Sequence, residues 1–123
     1  MPCVDRTVGC VERYLYKGDD HTFRLNVIDK SGNPVNIQGV TLTFTVKESG
    51  EDTAILLQKS SSILGEIDFA DATNGLADIF IKGADTTSMS VGLYEYDIQM
   101  NDLTGNVITL TKGHLSITQD VTN

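Results

Sequence analysis

Apolar and polar residues alternate one by one along most of this chain. Phe23, Leu25 and Val27 alternate with Thr22, Arg24 and Asn26, and Leu42, Phe44 and Val46 with Thr41, Thr43 and Thr45. Tyr94, Tyr96, Ile98 and Met100 alternate with Glu95, Asp97 and Gln99, and Leu115 and Ile117 with His114, Ser116 and Thr118. A pleated strand sends successive side chains to opposite faces. A period of two therefore specifies strands with one buried and one wet face. A helix needs apolar residues three and four apart, and only Ala84–Met89 has room for a single turn. Fourteen threonines, half of them inside the strand runs, suit the outer face of a sheet, where β-branched side chains pack well.

Turn chemistry separates the runs. Asp29-Lys30-Ser31-Gly32-Asn33-Pro34 closes one hairpin, and Glu48–Asp52 follows the Leu42 strand. Asp71–Gly75 carries Asn74-Gly75, a strong hairpin signal, and Asn101–Asn106 links the last long strands. The resulting strands are 12–16, 22–28, 40–47, 54–59, 64–69, 76–82, 92–100, 106–112 and 114–119. Turn signals every eight to twelve residues belong to an all-β sandwich or barrel. At 123 residues the chain has the length of one domain, able to bury roughly 65% of its unfolded surface. Residues 1–11 lack alternation and read as an N-terminal arm, leaving 12–123 as the β-sandwich domain.

The large inward-phase residues Leu25, Phe44, Ile79, Tyr94, Tyr96, Ile98 and Ile117 are the candidate core. Tyr94 and Tyr96 begin a strand after the Asp85–Ser90 crossover. A tyrosine there can turn its hydroxyl back onto upstream backbone, the tyrosine-corner device of Greek-key sandwiches. The alternative is two inward tyrosines of an ordinary core strand. In the arm, Val4, Val8 and Val11 are modest apolar contacts that a partner could bury.

The charge is one-sided: nine Lys and Arg against seventeen Asp and Glu leave −8. Such a chain lacks the basic footprint that nucleic acid or anionic lipid requires, so neither is an expected partner. Its acidity suits a basic protein partner. No apolar run approaches the ~20 residues of a membrane span, and the first residues have no apolar core of a secretory signal. Cys3 and Cys10 both precede the alternating region. They form either a small disulfide loop or two free thiols. Structural zinc needs four ligands, which these cysteines with His21 and His114 would have to supply from distant places.

Catalytic patterns are missing. The two histidines, His21 and His114, stand beside no Gly-x-Ser-x-Gly elbow or catalytic cysteine motif. No Gly-Lys-Ser/Thr follows any glycine, so there is no phosphate loop. Asp68, Asp71 and Asn74, and Asp19 with Asp20, are acidic loops without the calcium-loop pattern. They read as turn residues bonding their own backbone. The expectation is a protein without cofactor, metal or catalysis.

The order of these features carries a resemblance. Tyr16-Lys17-Gly18-Asp19-Asp20 leads into a strand, followed by Asp29–Val40 and the strand Thr41–Lys47. Later Asn74-Gly75-Leu76-Ala77-Asp78-Ile79 precedes Gly92-Leu93-Tyr94-Glu95-Tyr96-Asp97-Ile98, and Gly105–Ile117 closes the series. This order, over residues 12–122, resembles the immunoglobulin-like N-terminal domain of tailed-phage upper-baseplate proteins and the small phage structural proteins built on it. The resemblance implies an all-β, immunoglobulin-like antiparallel β-sandwich. It implies a virion component, assembled in the host cytoplasm in many copies, whose partners are other phage structural proteins. No long helix or fibre follows the domain here, so the expectation shifts from baseplate adaptor toward a decoration or joining protein of tail or capsid. The alternative is an immunoglobulin-like adhesion or ligand-binding module of a bacterial surface assembly.

A broad panel of ester, glycosidic and phosphate substrates should show no turnover. Hydrolysis that disappears on replacing His21 or His114 would refute the non-catalytic reading.

Overall fold

Each alternating run folds as a strand with its apolar phase turned inward. The computed structural model describes residues 13–48 and 54–119. Among these the strands are β1 (Arg13–Tyr16), β2 (His21–Asn26), β3 (Thr41–Lys47), β4 (Leu57–Ser60), β5 (Ile67–Asp71), β6 (Leu76–Ile81), β7 (Gly92–Asn101) and β8 (Val107–Thr118). One helical turn, α1 (Gly83–Thr86), lies between β6 and β7. The arm proposed at residues 1–11, with Val4, Val8, Val11, Cys3 and Cys10, lies outside the described residues.

Five strands in the order β1-β8-β7-β3-β4 form one sheet, and three in the order β2-β6-β5 form the other. The pairings are antiparallel except β1 with β8, which run parallel from Arg13 opposite Leu115 to Tyr16 opposite Thr118. The reason lies in the short turn after Tyr16, where the Asp19 N–H donates to the Tyr16 carbonyl at 3.0 Å. That turn carries the chain from one sheet to the other. β1 and β2 therefore do not form a hairpin, and β1 lies along the edge of β8 instead.

The inward phases meet in one core. Leu25, Phe44, Ile79, Tyr94, Tyr96, Ile98 and Ile117 all belong to it, with Leu15, Leu42, Val46 and Leu115 from the larger sheet and Phe23 and Ile81 from the smaller. Phe44 is fully buried at its centre. Its ring meets Phe23 of the opposite sheet edge-on, with centroids 6.4 Å apart, and lies 5.6 Å from Tyr96 of its own sheet. Such aromatic contacts add directional preference to the area they bury.

Strands 106–112 and 114–119 of the sequence reading are one continuous strand. Gly113 looks like a break, but it sits opposite Tyr96 in the ladder. A Cβ at Gly113 would lie 2.7 Å from the Tyr96 hydroxyl oxygen and 2.8 Å from its ring. The tyrosine occupies the space that the glycine leaves, and the strand runs on. A bulge at Leu110, between the pairs Ile98–Thr111 and Gln99–Thr109, lets both Leu110 and Thr111 turn inward. β4 and β5 begin later than their alternation suggests, at Leu57 and Ile67. A turn from Ile63 to Glu66, with Gly65 at φ 87°, occupies the start of the expected 64–69 strand.

Phe44→Ala should cost about 3–5 kcal/mol, a third or more of a typical domain's stability. Chemical denaturation measures it; an unchanged midpoint would mean that Phe44 does not join the two sheets.

Candidate interaction surface

The crossover from β6 to β7 shapes one end of the sandwich. Tyr94 is buried, and its hydroxyl donates to the Ser90 carbonyl at 2.5 Å. The ring packs in the core while its hydroxyl pins the backbone entering β7, so both readings of this tyrosine hold together. The turn between β1 and β2 docks on α1. The Gly18 N–H donates to Thr86 Oγ1 at 2.9 Å, and the Gly83 N–H to Asp20 Oδ1 at 2.7 Å. A Cβ at Gly83 would run into the Gly18 carbonyl oxygen, so the two segments approach this closely only through glycine.

A charge is buried at the same end. Lys59 of β4 is buried, and its Nζ lies 2.7 Å from Asp85 Oδ2 on α1. The same carboxylate oxygen accepts the Lys82 N–H at 2.7 Å. This pair was not read from the sequence. Its signal was present, since Lys59 shares the inward phase of Leu57, where a lysine requires a partner. Arg24 and Asp78 pair differently, directly across β2 and β6 on the surface, at 2.6 and 3.1 Å. The carboxylate raises the Arg24 pKa, first by hydrogen bonding and then by charge.

Of the acidic loops, Asp71 accepts the Asn74 side-chain amide at 2.8 Å and Asp20 the distant Gly83 N–H rather than their own backbone, while two other turn acids do bond theirs. Asp29 Oδ1 accepts the N–H groups of Ser31 and Asn33, each at 2.9 Å. Asp102 Oδ1 accepts the Thr104 hydroxyl at 2.8 Å and the N–H groups of Thr104 and Asn106 at 3.0 and 2.9 Å. These bonds, the Thr104 hydroxyl foremost, lower the Asp102 pKa. No group of three His, Cys, Asp or Glu among the described residues could hold a metal. His21 and His114 lie on different sheets. His21 Nε2 accepts the Tyr16 N–H at 3.2 Å, and its ring stacks on Tyr16.

The broadest organised surface is the outward side of the larger sheet. Its cross-strand rows follow from the register. Gln58, Thr45, Asp97 and Lys112 form one, and Lys47, Glu95 and His114 the next. Ser60, Thr43, Gln99 and Thr109 form another. A shallow depression of ≈ 70 Å³ lies among Thr45, Lys47, Glu95, Tyr96, Asp97 and Lys112. A column of two carboxylates on β7 thus stands between lysines on β3 and β8. Lys47, Asp97 and Lys112 make no ion pair among the described residues, although Asp97 and Lys112 are ladder partners. Alternation predicts that these side chains face outward. Their side-by-side placement depends on strand order, which the sequence does not state.

No protein-family model and no curated protein sequence matches the chain. Among solved structures, a mutant of the SrpA adhesin from Streptococcus sanguinis is similar in fold, with a TM-score of 0.51 and 12% identity. The match covers 94% of this chain and 58% of the adhesin chain, so this chain spans somewhat over half of that structure. Murine CRIg matches over 93% of this chain and 97% of its own, at 14% identity and a TM-score of 0.47. The fold is an immunoglobulin-like β-sandwich. No described helix is long and apolar enough to cross a membrane.

Asp85→Asn keeps a cap acceptor for Lys82 but leaves the Lys59 ammonium buried without a counter-charge. It should cost about 3 kcal/mol, the low end for breaking a buried pair, because Asp85 is partly exposed. Adding Lys59→Met to Asp85→Asn should recover most of that loss in a denaturation cycle. A double variant as unstable as Asp85→Asn alone would show that the loss comes from the turn and not from the stranded charge.

Proposed function

We propose that this chain is a non-catalytic structural protein of a tailed-phage virion, an immunoglobulin-like module that binds other virion proteins through its β-sandwich and its N-terminal arm. The observation that carries this reading is the order of turn and strand motifs from Tyr16 to Ile117, which resembles the upper-baseplate immunoglobulin-like domain. The fold supports it, since an immunoglobulin-like sandwich is what that resemblance implies. The surface is consistent with protein contact. The depressions on the outer sheet face and at the Ile28–Gly32 turn, ≈ 70 and ≈ 200 Å³, fall below the roughly 300–1,000 Å³ typical of small-molecule sites. A wide face of mixed polar and charged side chains suits a protein partner better than a small ligand.

A second reading takes the chain as an adhesion or ligand-binding module of a bacterial surface assembly. The similarity in fold to a streptococcal adhesin favours it. The neighbouring genes separate the two: terminase, portal and tail genes support the first, secretion and cell-wall anchoring genes the second.

Labelled protein on intact particles tests the virion role directly. A chain starting at Glu12 should keep its thermal midpoint within a few degrees and lose incorporation into particles. Residues 1–11 precede the first alternating strand of the sequence, which is why the truncation is expected to spare the fold. Incorporation unchanged by the truncation would refute the role of the arm, and absence of the full chain from particles would refute the virion role.

A further inference from the structure

We propose that two copies of this chain pair face to face across the outward side of the five-stranded sheet, about a twofold axis running along the strands between β7 and β8. The proposal rests on reading the chain as a protein-binding module and names one partner for it. Rotation about such an axis lays β8 of a second copy over β7 of the first at the same height. Asp97 and Lys112 are ladder partners at one height. Each Asp97 therefore comes to face Lys112 of the second copy, and each Lys112 its Asp97. Glu95 and His114, also ladder partners, exchange places in the same way. A twofold contact requires this self-complementarity, in which residue i meets j and j meets i.

Two observations favour a second copy as the occupant. The first is charge. The chain carries −8, so two copies repel through most of their surface. On this face Lys47 and Lys112 balance Glu95 and Asp97, so its described charges cancel although the chain is strongly acidic. The second is that Asp97, Lys47 and Lys112 stand within neighbouring rows and form no intrachain ion pair among the described residues. Their charges are available across an interface.

Sedimentation equilibrium of the full chain tests the pairing with charge reversals on the exposed face. The wild-type chain should be a dimer at about 100 µM and weaken as salt rises. Lys112→Glu alone and Asp97→Lys alone should each weaken association at least about tenfold, since each sets like charges against each other. An equimolar mixture of the two variants should associate again, because the lysine at 97 of one then meets the carboxylate at 112 of the other, while the native Asp97 and Lys112 meet at the second contact. Thermal midpoints close to wild type confirm that the variants are folded. A monomeric wild-type chain, variants that dimerise as the wild type does, or a mixture that stays monomeric would each overturn the proposal. Particle incorporation is a separate readout: monomeric protein found on particles refutes the pairing alone, and paired protein absent from particles refutes the virion reading alone.

Discussion

The described strands turn their larger apolar phase to one side, so each sheet depends on the other to cover it. The contact that joins them is Phe44, fully buried between Phe23 of the three-stranded sheet and Tyr96 beside it. A three-stranded sheet of five- and six-residue strands has little independent stability. It is held because Phe23, Leu25, Ile79 and Ile81 face the larger sheet and leave water together with it. The tight fit between the sheets explains smaller features. Tyr96 finds room only because Gly113 has no side chain, and β8 stays continuous through its glycine for the same reason.

The sandwich also has to solve its connections. The described chain changes sheets four times, and the crossings between β1 and β2 and between β6 and β7 fall at one end. Backbone groups leaving a sheet need new partners. Here Thr86, Asp20 and Asp85 supply them, and Ser90 receives the Tyr94 hydroxyl. Lys59 brings β4 into the same cluster. A buried lysine adds less to stability than an apolar side chain of the same shape, yet it penalises any arrangement that separates β4 from α1. Its contribution is to the specificity of the corner more than to its strength.

The strands were legible because half-burial writes itself into a sequence as alternation. The inward positions of Leu25, Phe44, Ile79, Ile98 and Ile117 follow from phase alone. Strand ends were less legible, because Ile55, Leu56, Ile63 and Leu64 are apolar yet exposed around β4. Their composition suggests longer strands than the turn at Gly65 permits. Gly113 misled in the opposite direction, since its role depends on Tyr96, seventeen positions earlier in the chain. The parallel pairing of β1 and the rows of the outer face were hidden for a common reason. Both depend on which strands become neighbours, and alternation carries no information about strand order.

That separation of core from surface is what leaves the outer face free to acquire a partner. The inward phase of β7 is fixed by packing: Tyr94, Tyr96, Ile98 and Met100 cannot change without disturbing the opposite sheet. The outward phase, Glu95, Asp97 and Gln99, makes no such demand, and polar residues of many kinds would fold equally well there. A surface chosen for solubility alone, in a chain of charge −8, would tend to continue the acidic excess. Instead Lys47 and Lys112 stand beside the carboxylates of β7, at matched heights, on the outward side of the larger sheet. Folding does not require that arrangement; the proposed pairing uses it, because a polar face discriminates between partners by the positions of its charges.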